Sequence, residues 1–558
     1  MFERYTERAR RTIFFARYEA VQLGAGQIEP LHLLLGVLRE DGELFERLPG
    51  DAHALRRDLG RRRLRVRAQA DGRAELPLAH ETKQALVYAS EESQRLGQRH
   101  IGTEHLLCGL LRAEGTGAEK VLTEHGFNLA GLNAHLTQAD DAGARGTVPE
   151  AGQSDDATQG AERRPARTGR RTVLGLEKLL ADRLELIRGA RVGLVCNQAS
   201  VDHSLRHAAD LLGARSEFKL TALYGPQHGI RGEVQDNMVE TPHGFDAETG
   251  LPVYSLYSET REPTEEMLRD VDVIVFDLQD VGCRIYTFIY TLANCMRAAA
   301  RYGKKVVVCD RPNPINGVQL AGTVLDPRYA SFVGQFPLAT RHGMTVCELA
   351  GMFRGEWGLD CELELVSMEG WARELWFDET DAPWVLPSPN MPTPETTQVF
   401  PGTVHLEGTQ MSEGRGTTRP FELVGAPYIE PARYATALAA YGLPGVYFRA
   451  CSFQPTFQKH AGVNCGGVQI HVTEREAFEP CAAGVAAVRT AYELYGSEFR
   501  WKEPPYEYVY DQNPFDVISG TDALRAAIER GASLEEIVAG WQEPLRRFAA
   551  QRERYLLY

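Results

Sequence analysis

Apolar residues along the chain follow two periods, and the change from one to the other falls near residue 173. Before it, Ile13, Ala16, Ala20 and Leu23 recur at helical spacing, as do Leu86, Ala89, Ser93 and Leu96. Each set predicts an amphipathic helix that ends at a glycine, Gly24 or Gly97. The two sets belong to a duplication: Ala16, Gly24, Ile28, His32, Leu33, Leu34 and Gly36 recur as Ala89, Gly97, Ile101, His105, Leu106, Leu107 and Gly109 at a constant offset of 73. In each copy a turn then feeds a second apolar helix, with His32 or His105 at its start in a structural role. Beyond residue 173 the pattern becomes short, nearly unbroken apolar runs: RVGLVCNQ (191–198), FKLTALYGP (218–226), VDVIVFDLQ (271–279) and KKVVVCD (304–310). Such runs predict parallel strands covered on both faces. Residues 204–213, 263–270 and 287–303 read as helices between them, and this alternation predicts right-handed crossovers in a doubly wound, Rossmann-like α/β sheet.

The pattern divides the chain into an all-α module (1–142), a linker (143–171), an α/β domain (172–395) and a smaller α+β accessory domain (396–558). A Pro-rich crossing over 383–401 precedes the last, which closes with helices over 521–530 and 534–554. The stretch from Asp140 to Arg171 has scarcely an aliphatic residue and cannot bury enough surface to offset its ordering entropy, so it is read as a flexible tether. Net charge is −1 over 1–142, +2 over 143–171 and −16 beyond, together the −15 of the whole chain. The acidity of the last part argues against nucleic acid or anionic membrane as its partner. Ten cysteines without a C-x-x-C pair read as reduced, buried thiols, and no apolar run approaches the ~20 residues of a spanning helix. The expected location is the cytoplasm. Neither G-x-x-x-x-G-K-[ST] nor G-x-G-x-x-G after a strand occurs, so neither ATP nor NAD is expected, and no cofactor or metal is assigned.

Two resemblances follow from these residues. The duplicated segments, IEPLHLLLG and IGTEHLLCG with the helices before them, resemble the Clp N-terminal (Clp repeat) domain, which precedes the ATPase rings of Clp-type unfoldases. Without a nucleotide-binding loop the module implies a docking or regulatory unit rather than an unfoldase. From about Gly175 to Tyr558, the blocks GPQHGIRG, VFDLQDVGCRIYTFIYT, DRPNPINGVQLAGTV, PSPNMPT, EGTQMSEGRGTTRPFE and FQPTFQKHAGVNCGG resemble, in order, those of the NamZ-type exo-β-N-acetylmuramidases, long known as a domain of unknown function, DUF1343. That resemblance implies a Rossmann-like domain and an accessory domain with the active site between them, acting on terminal N-acetylmuramic acid of peptidoglycan fragments. It also implies cell-wall recycling and a glutamate where this chain has Gln227, which can be neither acid nor base.

The polar residues at the strand ends fit glycoside hydrolysis, which needs a carboxylic acid for the leaving oxygen and a second carboxylate or the substrate's own acetamido group at the oxocarbenium-like centre. Glu413, in a Gly-rich loop, is the expected acid, with Glu407 as the alternative; Glu240 or Glu233 is expected to replace the carboxylate missing at Gln227. Asp277 and Asp280 are expected to orient the acetamido group or a water, beside Arg284 and Tyr286, and Asp310 and Asn313 to bind sugar hydroxyls. Within the family blocks, Gln227, His228, Asn390, Lys459 and His460 are further substrate-binding candidates. A lactyl carboxylate calls for an arginine, from Arg231, Arg341, Arg415 or Arg419, with His342 next to Arg341. Two other readings stay open: a metal-dependent hydrolase using Asp277, Asp280, Asp310 and His228, and a sugar-binding pseudoenzyme or adaptor linked to Clp proteolysis.

Overall fold

The duplication along the chain is also a duplication in space. The computed structural model describes residues 6, 9, 12, 13, 15, 16, 19 and 20, then 25–59 except 53 and 56, 77–132 except 96–99 and 131, and 171–558 except 233 and 236–239. The chain divides into two compact units, Met1–Gln159 and Gly160–Tyr558. In the first, helices Pro30–Glu40 and Thr103–Arg112 are the equivalent second helices of the two copies, and Leu33, Leu34 and Val37 of one share a core with Leu106, Leu107 and Leu110 of the other. The paired glycines explain themselves: a Cβ on Gly36 would lie 2.3 Å from the Thr12 carbonyl oxygen, and one on Gly109 2.1 Å from that of Ala85, again 73 residues on. The paired histidines are structural, as expected. His32 Nδ1 accepts the Glu29 N–H and His105 Nδ1 accepts the Gly102 N–H, each at 3.0 Å, so each ring closes its own helix start. The segment 143–170, expected to be a tether, lies outside the described residues.

The second unit is built on strands β1 (Arg191–Val195), β2 (Lys219–Gly225), β3 (Gly244–Phe245), β4 (Pro252–Ser255), β5 (Val273–Phe276), β6 (Lys305–Cys309), β7 (Ala321–Val324), β8 (Ala339–Arg341), β9 (Glu362–Val366), β10 (Leu423–Ala426), β11 (Val446–Phe453) and β12 (Cys465–Val472). The large sheet runs β3-β4-β2-β1-β5-β6-β9, parallel throughout except for the short β3. Successive residues of β5 belong to different cores: Val273 and Val275 pack with helices Gly175–Ala181 and Ala208–Gly213, Ile274 and Phe276 with helices Phe288–Tyr302 and Val346–Trp357. Burial on both faces is why these strands read as unbroken apolar runs.

Residues 263–270, expected to be helical, instead form successive turns. Leu268 N–H reaches Thr264 O, but Arg269 bonds Glu266 and Val271 bonds Leu268 at i−3, and the chain then enters β5 before a helix can propagate. The expected 395/396 division falls inside helix Pro394–Thr403, which packs on helix Pro480–Leu494. An antiparallel sheet β10-β12-β11 and the closing helices Pro514–Ser519, Ala523–Glu529 and Leu534–Arg552 complete the unit.

Candidate active site

Because β1 has β2 on one side and β5 on the other, the loops leaving the carboxyl ends of β2 and β5 diverge and open a crevice. Gln227 and His228 enter it from the loop after β2, and Tyr286 and Thr287 from the segment that leads into helix Phe288–Tyr302. Ser388 and Asn390 come from the loop before helix Pro394–Thr403. The opposite wall is Glu407 on the 3₁₀ turn Val404–Gly408, Arg415, Phe421, Tyr506 and Glu507. His228, Phe421 and Glu507 have φ of 74°, 63° and 43°, the left-handed region that side chains disfavour. Three such residues around one cleft are the kind of strain that functional sites retain.

Two carboxyl groups in this cleft are driven in opposite directions. Glu407 is buried, with Oε1 accepting from Arg415 Nη2 at 2.6 Å and Oε2 from the Tyr506 hydroxyl at 2.7 Å. Burial alone would raise its pKa, but Arg415, Tyr506 and Lys459 outweigh that and hold it below the usual carboxylate range. Glu507 accepts from the Tyr257 hydroxyl at 2.8 Å and from Gln227 Nε2 at 3.4 Å. Burial raises its pKa and the charge of Glu407 raises it further, against weaker opposition from Tyr257, Gln227 and Arg261. Arg415 and Lys459 both pair with Glu413, and Arg415 also with Glu407. Gln227 also accepts from Thr287 Oγ1 at 2.8 Å, so its amide bridges the start of the helix to Glu507.

Of the residues singled out from the sequence, Gln227, His228, Tyr286, Asn390, Glu407 and Arg415 line the cleft. Glu413 and Lys459 stand behind Arg415. Lys459 Nζ donates to Glu413 Oε2 at 2.8 Å and to the carbonyls of Leu406 and Met411, and Arg415 Nε lies 3.4 Å from Glu413 Oε1. Glu413, the expected acid, is therefore placed behind the cleft lining and not in it. Asp277 is fully buried under Arg311, which donates to both of its oxygens at 2.6 and 2.8 Å. Asp310 is fully buried and accepts from Thr345, Tyr558 and the Cys347 N–H, while Asn313 bridges Met344 and Ile315. Neither is among the residues lining the cleft, since each is engaged in tying neighbouring loops. Asp280 accepts from Gly282 N–H, with His342 Nε2 3.4 Å away. Arg284 is buried with Nη2 on the Ile518 carbonyl, and Arg341 bonds the Ile315 carbonyl beside Trp376. Arg231 pairs with Asp246, Arg419 with Glu422, and His460 with the Gln410 carbonyl, all away from the cleft. Glu240 is half exposed in a neighbouring groove, bonded to the Tyr508 hydroxyl; Glu233 lies outside the described residues.

The oxygen cluster needed by the metal reading is not formed, since Asp277 and Asp310 are separately engaged; among the described residues no three His, Cys, Asp or Glu side chains group as a metal site. Glu507 was not singled out in the sequence. Its segment, PPYEYVYD, has neither apolar period nor glycine-rich loop, and the only hint is a rigid Pro504-Pro505 pair ahead of alternating aromatics.

Comparison with known proteins finds matches in both parts of the chain. Residues 192–395 match the N-terminal and 398–558 the C-terminal part of the exo-β-N-acetylmuramidase NamZ family, and residues 4–125 match the Clp repeat (R) N-terminal domain. The chain is 44% identical over 413 residues to the peptidoglycan β-N-acetylmuramidase NamZ of Bacillus subtilis, covering 74% of this chain and 96% of that protein. Over 138 residues it is 35% identical to the chaperone ClpB of Oceanobacillus iheyensis, covering 23% of this chain but only 16% of that one. Among solved structures, a DUF1343 family protein of Bacteroides fragilis superposes with a TM-score of 0.63 at 34% identity, covering 70% of this chain and 99% of the other.

Proposed function

The chain belongs to the exo-β-N-acetylmuramidase NamZ family, with a Clp repeat N-terminal domain ahead of the family region, and from that premise we propose that it is a glycoside hydrolase removing terminal N-acetylmuramic acid, or a closely related amino sugar, from peptidoglycan fragments. The observation that carries the reading is the pair Glu407 and Glu507, two carboxyls in one cleft whose surroundings push their protonation apart, the arrangement that separates acid from base. Glu507, whose pKa burial raises, is the general acid. As the C1–O bond breaks, its electron pair stays on the glycosidic oxygen, which takes the Glu507 proton and leaves as an alcohol. Glu407, kept ionised by Arg415 and Tyr506, supplies negative charge for the oxocarbenium-like centre. Water adds hydroxide to C1 and its remaining proton restores Glu507. Gln227, in the position of the family's glutamate, holds Glu507 in place by its amide, so the carboxyl chemistry survives the substitution.

The α/β part is read as Rossmann-like on its strand order, with residues beyond about 395 as an accessory α+β domain that closes the cleft. The cleft of about 50 Å³ is well below the ~300–1,000 Å³ of common ligand sites, so sugar entry requires its walls to part. The Clp repeat module is read as a protein-docking unit. Ten free cysteines, nine of them buried, favour a reducing compartment and hence cytoplasmic recycling of imported fragments; no helix among the described residues is long and apolar enough to cross a membrane.

The test is incubation of the purified full chain with a chromogenic N-acetylmuramic acid glycoside and, in parallel, its N-acetylglucosamine analogue. Faster release from the muramic acid glycoside is expected. Binding of both without release by wild type, with release gained on Gln227→Glu, would favour the alternative that Gln227 marks a sugar-binding pseudoenzyme.

A further inference from the structure

Glu507 faces two cavities. Its carboxyl lines the narrow cleft with Gln227 and Glu407, and it also lines an open groove of about 760 Å³ on its other side. Among the described residues it is the one shared by the two linings. In the groove, Arg261 is sandwiched between aromatic rings, its guanidinium carbon 4.3 Å from the centroids of both Tyr257 and Tyr508 and 5.8 Å from that of Phe332. Next to it is a hydrogen-bonded polar cluster: Asn294 donates to the Arg261 carbonyl at 3.0 Å and accepts from Gln335 at 3.2 Å, and Arg297 donates to the side-chain oxygens of both, at 2.6 and 2.9 Å. Aromatic and guanidinium surface together with amide groups suit a hexosamine ring, with its apolar face and its hydroxyl and acetamido groups.

A general acid must reach the oxygen that joins the sugar being released to the sugar left behind. Its place is therefore between the sites for the two. We propose that this groove, floored by Arg261 and Tyr508 and walled by Phe332, Asn294 and Gln335, holds the leaving sugar, so that Glu507 stands over the bond that breaks. The proposal rests on the glycosidase reading above and adds the orientation of the substrate: the terminal sugar lies in the narrow cleft, and the rest of the glycan leaves through the open groove.

The test compares two substrates with the same terminal sugar. One is the disaccharide of N-acetylmuramic acid linked to N-acetylglucosamine; the other is the β-fluoride of N-acetylmuramic acid, whose leaving group fills no groove and needs no proton. Phe332→Ala and Gln335→Ala are expected to lower kcat/KM for the disaccharide at least ~10-fold more than for the fluoride. Glu507→Gln is expected to lower the disaccharide reaction at least ~10-fold more than the fluoride reaction, which needs Glu507 only for the proton of the attacking water. Gln335→Ala, at a partly exposed position, carries the test should Phe332→Ala lose its thermal transition. Equal losses on both substrates in the groove variants would overturn the leaving-sugar assignment and leave the glycosidase reading standing. A wild-type chain that turns over neither substrate would overturn both.

Discussion

At the scale of single residues, the pair Glu407 and Glu507 fixes the pH dependence. Glu407 must be ionised, and its pKa is lowered, so activity is lost only as pH falls below the ordinary glutamate value of about 4.3. Glu507 must be protonated, and its pKa is raised, so activity persists above that value and is lost as pH rises through the raised one. The kcat/KM profile of wild type should thus be a bell wider than two ordinary carboxyls would give. Glu507→Gln should remove the alkaline limb along with at least ~10²-fold of disaccharide turnover. Glu407→Gln should cost as much without removing that limb. Gln227→Glu brings a second carboxyl against Glu507, where one of the two must hold a proton. The expected outcome is an alkaline limb moved to higher pH with turnover at neutral pH within ~10-fold of wild type, read from the same profiles; a gain from zero activity would instead mark a decayed site.

At the scale of elements, the strands were legible because two-sided burial leaves an unbroken apolar run, and the helical repeat because Gly36 and Gly109 are held to glycine by backbone contact. The crossover over 263–270 was misread because its composition suits a helix while its length before β5 does not. The site was half legible. Gln227, His228 and Arg415 sit in loops whose glycines announce them, whereas Asp277 and Asp310 look catalytic in sequence and are tied inward by Arg311 and by Tyr558, the latter 248 residues away. Glu507 is supplied by a segment far from every strand end, so no local pattern reveals it. Behind the wall that carries Glu407 lies a close helix contact: a Cβ at Gly402 would lie 1.8 Å from the Pro480 carbonyl oxygen, and one at Gly484 2.1 Å from that of Gly402. Helix Pro394–Thr403 runs directly into the 3₁₀ turn of Glu407. Gly402→Ala should therefore cost roughly 2–3 kcal/mol or more by overpacking and lower turnover through displacement of Glu407, seen as a reduced thermal midpoint and a reduced kcat in the same variant. An unchanged midpoint would mean that the two helices can part freely.

At the scale of the whole molecule, each unit contains what it needs to fold. The core of the first unit is drawn entirely from residues 9–132, with Phe45 and Phe127 packed edge to face at 5.4 Å between its two halves. The cores on both faces of the large sheet, and every residue lining the candidate site, come from beyond residue 171. The residues described as lining the cleft all belong to the second unit, which sets up a test of whether the hydrolase works without the module. Residues 172–558 expressed alone should be soluble and should turn over the disaccharide with kcat and KM within ~2-fold of the full chain. Residues 1–142 alone should give a helical circular-dichroism spectrum with its own cooperative melt. ATP should shift the midpoint of neither piece, since neither carries the glycine-rich, lysine-bearing loop that cradles phosphates. If the isolated hydrolase is inactive while the full chain works, the module completes the site and the separation of roles is wrong; if the isolated hydrolase is active and only the full chain is retained by a Clp partner, the module acts by placing the enzyme rather than by changing its chemistry.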